Sequence, residues 1–290
     1  MTMDKSAIQE ARKSLDGNWL SVAFGTFLWD IYIGLFLLAT GIVGILLICS
    51  VSNADAWEDL WIDLLVLIVS VSAIGPFSAG YVNYLLDGLK YKRYDHSRLL
   101  SGFQNFGKTF MIGFYSWGII FLSMVLCVGG VVLLHFLFPS ITDNIFSKII
   151  VAVLIAYVLI SVQLRITWIP YFIYVEDGCS KSAWSIVRES WNLMDGKEWS
   201  LFLLLLRFTG WNLLAIVTFG LGWFWVFPYT VSSIYYLYLD LKKNTIEVKG
   251  SKTYISQKSA FVIDDWSVEK KFTVGFIIVF WSLFIGLACS

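Results

Sequence analysis

The sequence predicts an all-α protein, a polytopic transmembrane helical bundle, and three observations support this prediction. Its 290 residues are 58% apolar and only 14% charged, and the mean hydropathy is +0.73. Ordinary soluble domains are about 45–50% apolar and about 25% charged. The apolar residues form long continuous runs without strand-like alternation, and backbone groups in lipid must be satisfied within helices or closed barrels. These features exclude a soluble enzyme, a collagen, a coiled coil and a disordered chain.

Seven apolar runs are long enough to cross a bilayer. A hydrocarbon core of about 30 Å requires about 20 helical residues, because each residue advances 1.5 Å. We therefore predict a six-span core and a seventh, C-terminal span. The runs lie at residues 20–49, 61–84, 110–138, 149–174, 201–219, 223–239 and 272–289. The first and third runs exceed one straight span, so they must tilt, kink or project beyond the membrane.

Basic residues predict the orientation of these spans. If the spans alternate in direction, 18 of the 21 Lys and Arg residues fall on one side of the membrane. The positive-inside rule places that side in the cytoplasm. We expect a multi-pass protein of the cell (cytoplasmic) membrane, with a cytoplasmic N-terminus and an extracytoplasmic C-terminus.

The same pattern divides the chain into four regions. Residues 1–18 form a cytoplasmic amphipathic segment, and residues 19–241 form a six-helix membrane domain. Residues 242–271 form a lysine-bearing cytoplasmic linker, partly disordered, and residues 272–290 form the extra transmembrane helix.

A degenerate internal repeat runs through the membrane domain. In each of three units, a short amphipathic segment is followed by a glycine, and an aromatic residue then enters a span. These glycines are Gly17, Gly107 and Gly196. Each unit also has a proline in its second apolar run, followed by an aromatic-rich stretch and then charged residues. Proline removes a backbone hydrogen bond, so we expect helix kinks at these positions. The prolines are Pro76, Pro170 and Pro228.

We expect the short amphipathic helices to lie on the cytoplasmic side, in the membrane interface. Their apolar faces would enter the acyl boundary, and their basic residues would lie near lipid phosphates. Tryptophans in and after these segments are predicted to sit at headgroup depth. They are Trp19, Trp184, Trp191 and Trp199.

Several short motifs carry a family likeness. They are Gly75-Pro-Phe-Ser-Ala-Gly-Tyr, Ser101-Gly-Phe-Gln-Asn-Phe-Gly107, Ser190-Trp-Asn-Leu-Met-Asp-Gly-Lys, Phe208-Thr-Gly-Trp211 and Thr218-Phe-Gly-Leu-Gly222 followed by Pro228-Tyr229. In this order they resemble the bacterial integral membrane family known as domain of unknown function 975, over about residues 11–241. The resemblance implies a six-span core in a bacterial cell membrane and brings no activity or catalytic residue. The tail departs from the family pattern, so the seventh span rests on hydropathy alone.

Three charged residues lie well inside the predicted spans: Asp30, Arg165 and Arg207. Counted along a helix, each is about 15–18 Å from the inner membrane face. A charge at that depth costs at least about 2.5–3.5 kcal/mol, so such residues face the bundle interior and find partners. One hypothesis is that Asp30 pairs with one arginine, while the other arginine binds a small anion or a lipid phosphate in a polar cavity. The alternative is a structural interhelical pair, with the spare arginine snorkelling or bonding carbonyls.

The sequence leaves three functional interpretations open. The favoured one is a non-enzymatic envelope or membrane-associated accessory protein whose partner is the lipid bilayer. The alternative is a transporter or permease for an anionic or lipid-like substrate, and the third is a membrane-embedded enzyme acting on lipid. The zero net charge and four scattered cysteines indicate no nucleic-acid partner and no metal site. We expect no cofactor and no catalytic residues.

Overall fold

The computed structural model describes residues 3–50, 56–137, 145–177 and 180–256, and these residues are helical with short connections and no strands. There are nine α-helices and one 3₁₀ helix, η1, in this part of the chain. They are α1 (Met3–Leu15), α2 (Trp19–Ser50), α3 (Ala56–Tyr91), η1 (His96–Asn105), α4 (Phe106–Leu137), α5 (Ile145–Ile166), α6 (Ile169–Asp177), α7 (Ala183–Met194), α8 (Glu198–Val217) and α9 (Trp223–Ser256).

Four helical stretches of the described chain are long and apolar enough to cross a membrane. They are Trp19–Leu46, His96–Leu133, Ser147–Asp177 and Glu198–Val217. The predicted runs 61–84 and 223–239 lie within α3 and α9. The predicted seventh run, 272–289, lies outside the described residues. Helix α9 continues to Ser256, so the first part of the predicted linker, residues 242–256, is helical.

The helices form three repeat units that pack as a closed ring. Unit one is α1–α3, unit two is η1–α6 and unit three is α7–α9. Within each unit the first long helix packs on the second: α2 on α3, α4 on α5, and α8 on α9. Between units, α3 packs on α4, α5 packs on α8, and α9 returns to pack on α2. The degenerate sequence repeat is therefore a structural repeat with cyclic contacts.

The short leading segment of each unit rests on the preceding unit. Segment η1 packs on α3, α7 packs on α4 and α6, and α1 packs on α8 and α9. The apolar face of α1 is fully buried at Ala7, Ala11 and Leu15. The prediction that this face lies in the acyl boundary is therefore wrong for α1, because the face meets protein.

The other two leading segments also differ from the short amphipathic helices that the sequence predicts. Segment η1 is a 3₁₀ helix, not an α-helix. In α7 the buried residues are Ile186, Val187, Ser190 and Met194, whereas Trp184 is exposed. Packing on unit two selects between two neighbouring faces of this helix, and Trp184 lies at the edge of that contact, 5.4 Å from Tyr115 of α4.

Two of the three repeat glycines form the same turn. Gly17 and Gly196 have φ values of 81° and 70°, which favour glycine. In each turn the following N–H bonds back to the last helical carbonyl, from Asn18 to Leu15 at 3.0 Å and from Lys197 to Met194 at 2.9 Å. Gly107 forms no such turn, because it lies inside α4.

The three prolines have different local effects. Pro76 and Pro228 lie inside the continuous helices α3 and α9. Pro170 is the second residue of α6, just after the break that follows Ile166. Proline has no N–H for the carbonyl four residues earlier, which here is that of Ile166, and its ring crowds that carbonyl. Pro170 therefore accounts for a helix break where the sequence predicted a kink.

Glycines allow α3 to approach unit two at backbone contact. A methyl group at Gly80 would overlap the carbonyl group of Leu99 in η1. A methyl group at Gly113 of α4 would lie 2.6 Å from the carbonyl oxygen of Ser72, the carbonyl left without its helical donor by Pro76. The contact between units one and two therefore depends on the absence of side chains at these positions.

We expect Gly80→Ala to lower the stability of the fold by about 1–3 kcal/mol, because the added methyl group forces η1 away from α3. Gly118→Ala is the matched control, since a methyl group there would have no heavy atom within 4 Å. Thermal unfolding of both variants in detergent, followed by circular dichroism, measures the difference. An unfolding temperature of Gly80→Ala equal to that of the control would contradict the close approach.

Candidate functional site

Charged residues near the ends of α3 and α6 and from the middle of α9 meet at one place. The Lys90 and Lys242 side chains each stand fourteen residues after the proline of their unit. Both contact Glu176 of α6: Lys90 Nζ lies 3.5 Å from Oε1, and Lys242 Nζ lies 3.2 Å from Oε2. One carboxylate thus joins all three repeat units.

Two tyrosines of α9 complete the surroundings of Glu176. The Tyr235 hydroxyl donates to Oε1 at 2.8 Å, and the Tyr238 hydroxyl donates to Oε2 at 3.3 Å. Each carboxylate oxygen therefore has a tyrosine donor and a lysine partner. Hydrogen bonds to an ionised group are among the stronger ones in proteins.

The cluster extends through the neighbouring carboxylate. Asp177 Oδ1 lies 3.2 Å from Lys242 Nζ, and its Oδ2 accepts from Lys181 Nζ at 2.6 Å. Lys181 also donates to Glu189 of α7 at 2.6 Å. Hydrogen bonds to these two carboxylates raise the pKa of Lys181 above its usual value. We call this group the inner ionic cluster; its members are Lys90, Glu176, Asp177, Lys181, Glu189 and Lys242.

Aromatic rings fill the centre of the ring of units. We call them the axial aromatic cluster, and they are Trp29, Tyr81, Trp168 and Phe227. The ring centroids of Trp29 and Tyr81 are 4.9 Å apart, and Phe227 lies 5.3 Å from Trp29 and 5.5 Å from Tyr81. Trp168 lies 5.6 Å from Phe227. All three units contribute, so these contacts join the units at the centre.

The polar tips of Trp29 and Tyr81 in this cluster have partners. Trp29 Nε1 donates to the Phe77 carbonyl at 3.0 Å, and the hydroxyls of Thr26 and Tyr81 are 3.0 Å apart. A buried aromatic residue with a satisfied polar tip contributes packing without an unpaired donor.

Arg165 is held by unit three and not by Asp30. Its guanidinium forms an ion pair with Glu198, and Nη2 lies 3.5 Å from Asp195 Oδ1. The guanidinium also lies over the Trp191 ring, 4.6 Å from its centroid. These partners belong to the segment that the sequence places at the inner interface, so Arg165 is not the arginine that would pair with Asp30.

Asp30 and Arg207 occupy separate places. Asp30 is half-buried on α2, beside Trp29 of the axial aromatic cluster. Arg207 is exposed on α8 and lines a groove of about 270 Å³ that Lys5 and Gln9 of α1 and Tyr229 of α9 also line. The three charges therefore belong to separate groups of contacts.

The four predicted interfacial tryptophans all contact aromatic or cationic side chains of the protein. Trp191 lies under Arg165, as described above. The rings of Trp19 and Tyr229 are 5.6 Å apart, those of Trp184 and Tyr115 are 5.4 Å apart, and those of Trp199 and Phe202 are 5.3 Å apart. Trp184 and Trp199 are more than half exposed, as expected for residues that also meet lipid or headgroups.

A cavity of about 530 Å³ lies between units two and three. It is bounded by the break between α5 and α6, by α8 and by the beginning of α9. Its lining is mostly apolar, with two amide side chains, those of Gln163 and Asn212. Among the residues that the structure describes, no group of three or more His, Cys, Asp or Glu side chains is placed to hold a metal ion.

Comparison with known families shows which family the chain belongs to. The family model of a protein of unknown function, DUF975, matches residues 1–245. The chain belongs to the DUF975 family. No curated protein and no solved structure matches the chain.

The DUF975 match contains units one and two, unit three up to residue 245, and the complete inner ionic cluster. It confirms the resemblance inferred from the ordered motifs. The residues after 245, including the apolar run 272–289, lie beyond the match. The family assigns no activity, so function must be argued from the site.

Sequence analysis did not identify the inner ionic cluster as a site. One sequence pattern could have identified it: a tyrosine and then a lysine follow the proline at the same spacing in two units. These residues are Tyr84 and Lys90 in unit one, and Tyr236 and Lys242 in unit three. Only the cyclic packing of the units brings these lysines to Glu176.

We expect Glu176→Gln to destabilise the DUF975 fold by about 1.5–3 kcal/mol, because it leaves two lysines beside an uncharged amide. Thermal unfolding in detergent measures the loss. Asp240→Asn, on α9 outside the cluster, is the matched control.

Combining Glu176→Gln with Lys242→Met should cost less than the sum of the two single changes, since the second change removes a charge left without a partner. Strict additivity of the two changes would argue against a shared network.

Proposed function

We propose that this protein is a non-enzymatic, multi-pass accessory protein of the bacterial cell membrane that stabilises or organises the envelope. The observation that carries the proposal is the packing at the centre of the ring of units. Rings from all three units fill the centre, and the carboxylates of the inner ionic cluster are engaged by lysines and tyrosines. Side chains that pack on and bond to one another in this way support a structural role.

We further propose a six-span core with a cytoplasmic N-terminus. The spans are α2, α3, α4, α5 with α6, α8 and α9. The inner ionic cluster supports this orientation, because it joins the segments that follow the second, fourth and sixth spans. Those segments carry most of the basic residues, and the positive-inside rule places such segments in the cytoplasm.

Cysteine labelling tests the orientation. With the four native cysteines changed to serine, Tyr91→Cys and Lys243→Cys should react with an impermeant maleimide in inverted vesicles and not in intact cells. Asn53→Cys, between the first two spans, should show the opposite pattern. Labelling of positions 91 and 243 from opposite sides of the membrane would exclude the six-span arrangement.

The second candidate function is transport of an anionic or lipid-like substrate. The cavity of about 530 Å³ between units two and three favours it, because transporters bind substrates in intramembrane cavities with a few polar groups. The prolines inside α3 and α9, Pro76 and Pro228, also favour transport, because proline removes a helical hydrogen bond at a point where the helix can bend.

Reconstitution separates the two functions. We expect proteoliposomes that contain the full chain to show no more chloride efflux and no more fluorescent-lipid translocation than protein-free vesicles. The comparison variant is Phe227→Ala, which removes a ring from the axial aromatic cluster. Flux through this variant and not through the unmodified chain would show that the filled centre limits flux. Saturable flux through the unmodified chain would overturn the accessory function and favour the transporter.

A further inference from the structure

The third repeat unit is shorter than the other two. Helices α2 and α4 have 32 residues each, or about 48 Å, whereas α8 has 20 residues, or about 30 Å. Helices α2 and α8 begin two residues after the equivalent glycines, Gly17 and Gly196. Helix α8 is therefore about 18 Å shorter than α2 and α4, and its length matches a hydrocarbon core of about 30 Å.

The turn between α8 and α9 is suited to an apolar environment. Its N–H groups bond internally, from Gly220 to the Ala215 carbonyl at 2.9 Å and from Leu221 to the Thr218 carbonyl at 3.2 Å. The Gly222 N–H reaches the Thr218 hydroxyl at 3.0 Å. Phe219 is 99% exposed, and residues 208–239 contain no charged side chain. Irregular backbone tolerates hydrocarbon when its polar groups are satisfied in this way.

The cavity between units two and three reaches this turn. Gly220 and Ile216 line it beside Trp223, and Ile216 is 72% exposed. No Lys, Arg, His, Asp or Glu is among the described residues that line the cavity. A ligand that enters from the lipid therefore meets apolar walls and no compensating charge.

The cavity is lined by two amide side chains, those of Gln163 and Asn212, with no hydrogen-bond partner among the described residues; Gln163 is exposed and Asn212 is half-buried. The neighbouring hydroxyls of Thr167 and Thr230 donate to the backbone carbonyls of Gln163 and Val226, at 2.6 Å and 2.8 Å. An amide that faces hydrocarbon without a partner is costly, so it favours an occupant that can both donate and accept.

We propose that this cavity binds a neutral amphiphile, with its apolar chain along α8 and α9 and an uncharged hydroxyl, ester or amide group bonded to Gln163 and Asn212. The absence of a cation in the lining disfavours a phosphate headgroup, because a buried charge without a partner is costly. This binding site goes beyond the accessory function, which requires no ligand in the cavity.

Photolabelling tests the site in the full chain, reconstituted in phosphatidylcholine vesicles. The probe is a monoacylglycerol with a diazirine in its acyl chain. We expect labelled peptides from α5, α8 and α9, and at least a fivefold loss of labelling in the double variant Gln163→Leu, Asn212→Leu. Asn192→Leu, an exposed position on α7, is the matched control and should label as the unmodified chain does.

A second variant keeps the test decisive if the double variant does not fold. Ile216→Trp fills the mouth of the cavity without changing either amide, and it should also lose labelling. Unchanged labelling in both variants would overturn the proposal. So would equal labelling of the cavity by a phosphatidylglycerol probe with the same acyl diazirine, or a cross-link of an introduced Ile216→Cys to residues 272–290 of the same chain. These results are independent of the flux measurement, so the ligand site and the accessory function can fail separately.

Discussion

The contact of α1 with α9 closes the ring of three units, and the rest of the fold depends on that closure. Ala7, Ala11 and Leu15 are fully buried there. The Tyr229 hydroxyl donates to the Ile8 carbonyl at 3.3 Å, and the Ser14 and Tyr236 hydroxyls are hydrogen-bonded. Without this contact, α9 would lose its packing on α1, and the lysine that it brings to Glu176 would be less well fixed. Helices α1 and α9 lie at the two ends of the region that the DUF975 model matches, and their contact thus helps to hold the inner ionic cluster in place.

Glu176 shows why three units need one another. Two cations from different helices face its carboxylate, and a partly buried cation without a partner is expensive. The two tyrosine hydroxyls satisfy the oxygens further, so the carboxylate gains hydrogen bonds as well as charge pairing. The network therefore stabilises one relative position of α3, α6 and α9. A merely apolar contact among the three helices would be less selective, because apolar packing has no direction.

The sequence contains the local signals of this fold but not its contacts. Glycine and proline act on their own backbone, so the turns at Gly17 and Gly196 and the interruption near Pro170 could be predicted in place. The burial of Ile186 in preference to Trp184 could not, because the choice between two neighbouring helix faces depends on unit two. The pairing of Glu176 with Lys242 joins residues far apart in the chain, and only cyclic packing determines it. The unexpected 3₁₀ helix has a similar origin, since η1 must fit against the backbone of α3 at Gly80.

The position of Arg165 changes the electrostatic argument about ligands. Depth counted along a single helix placed this arginine near the midplane, but the chain bends after Ile166, and the guanidinium reaches the beginning of unit three. Asp195 and Glu198 supply the negative charge that Asp30 alone could not supply to two arginines. The surplus positive charge that motivated an anion at Arg165 is therefore balanced within the protein. What remains between units two and three is a cavity lined by apolar groups and two amides, and its chemistry selects hydrogen-bonding groups over charge.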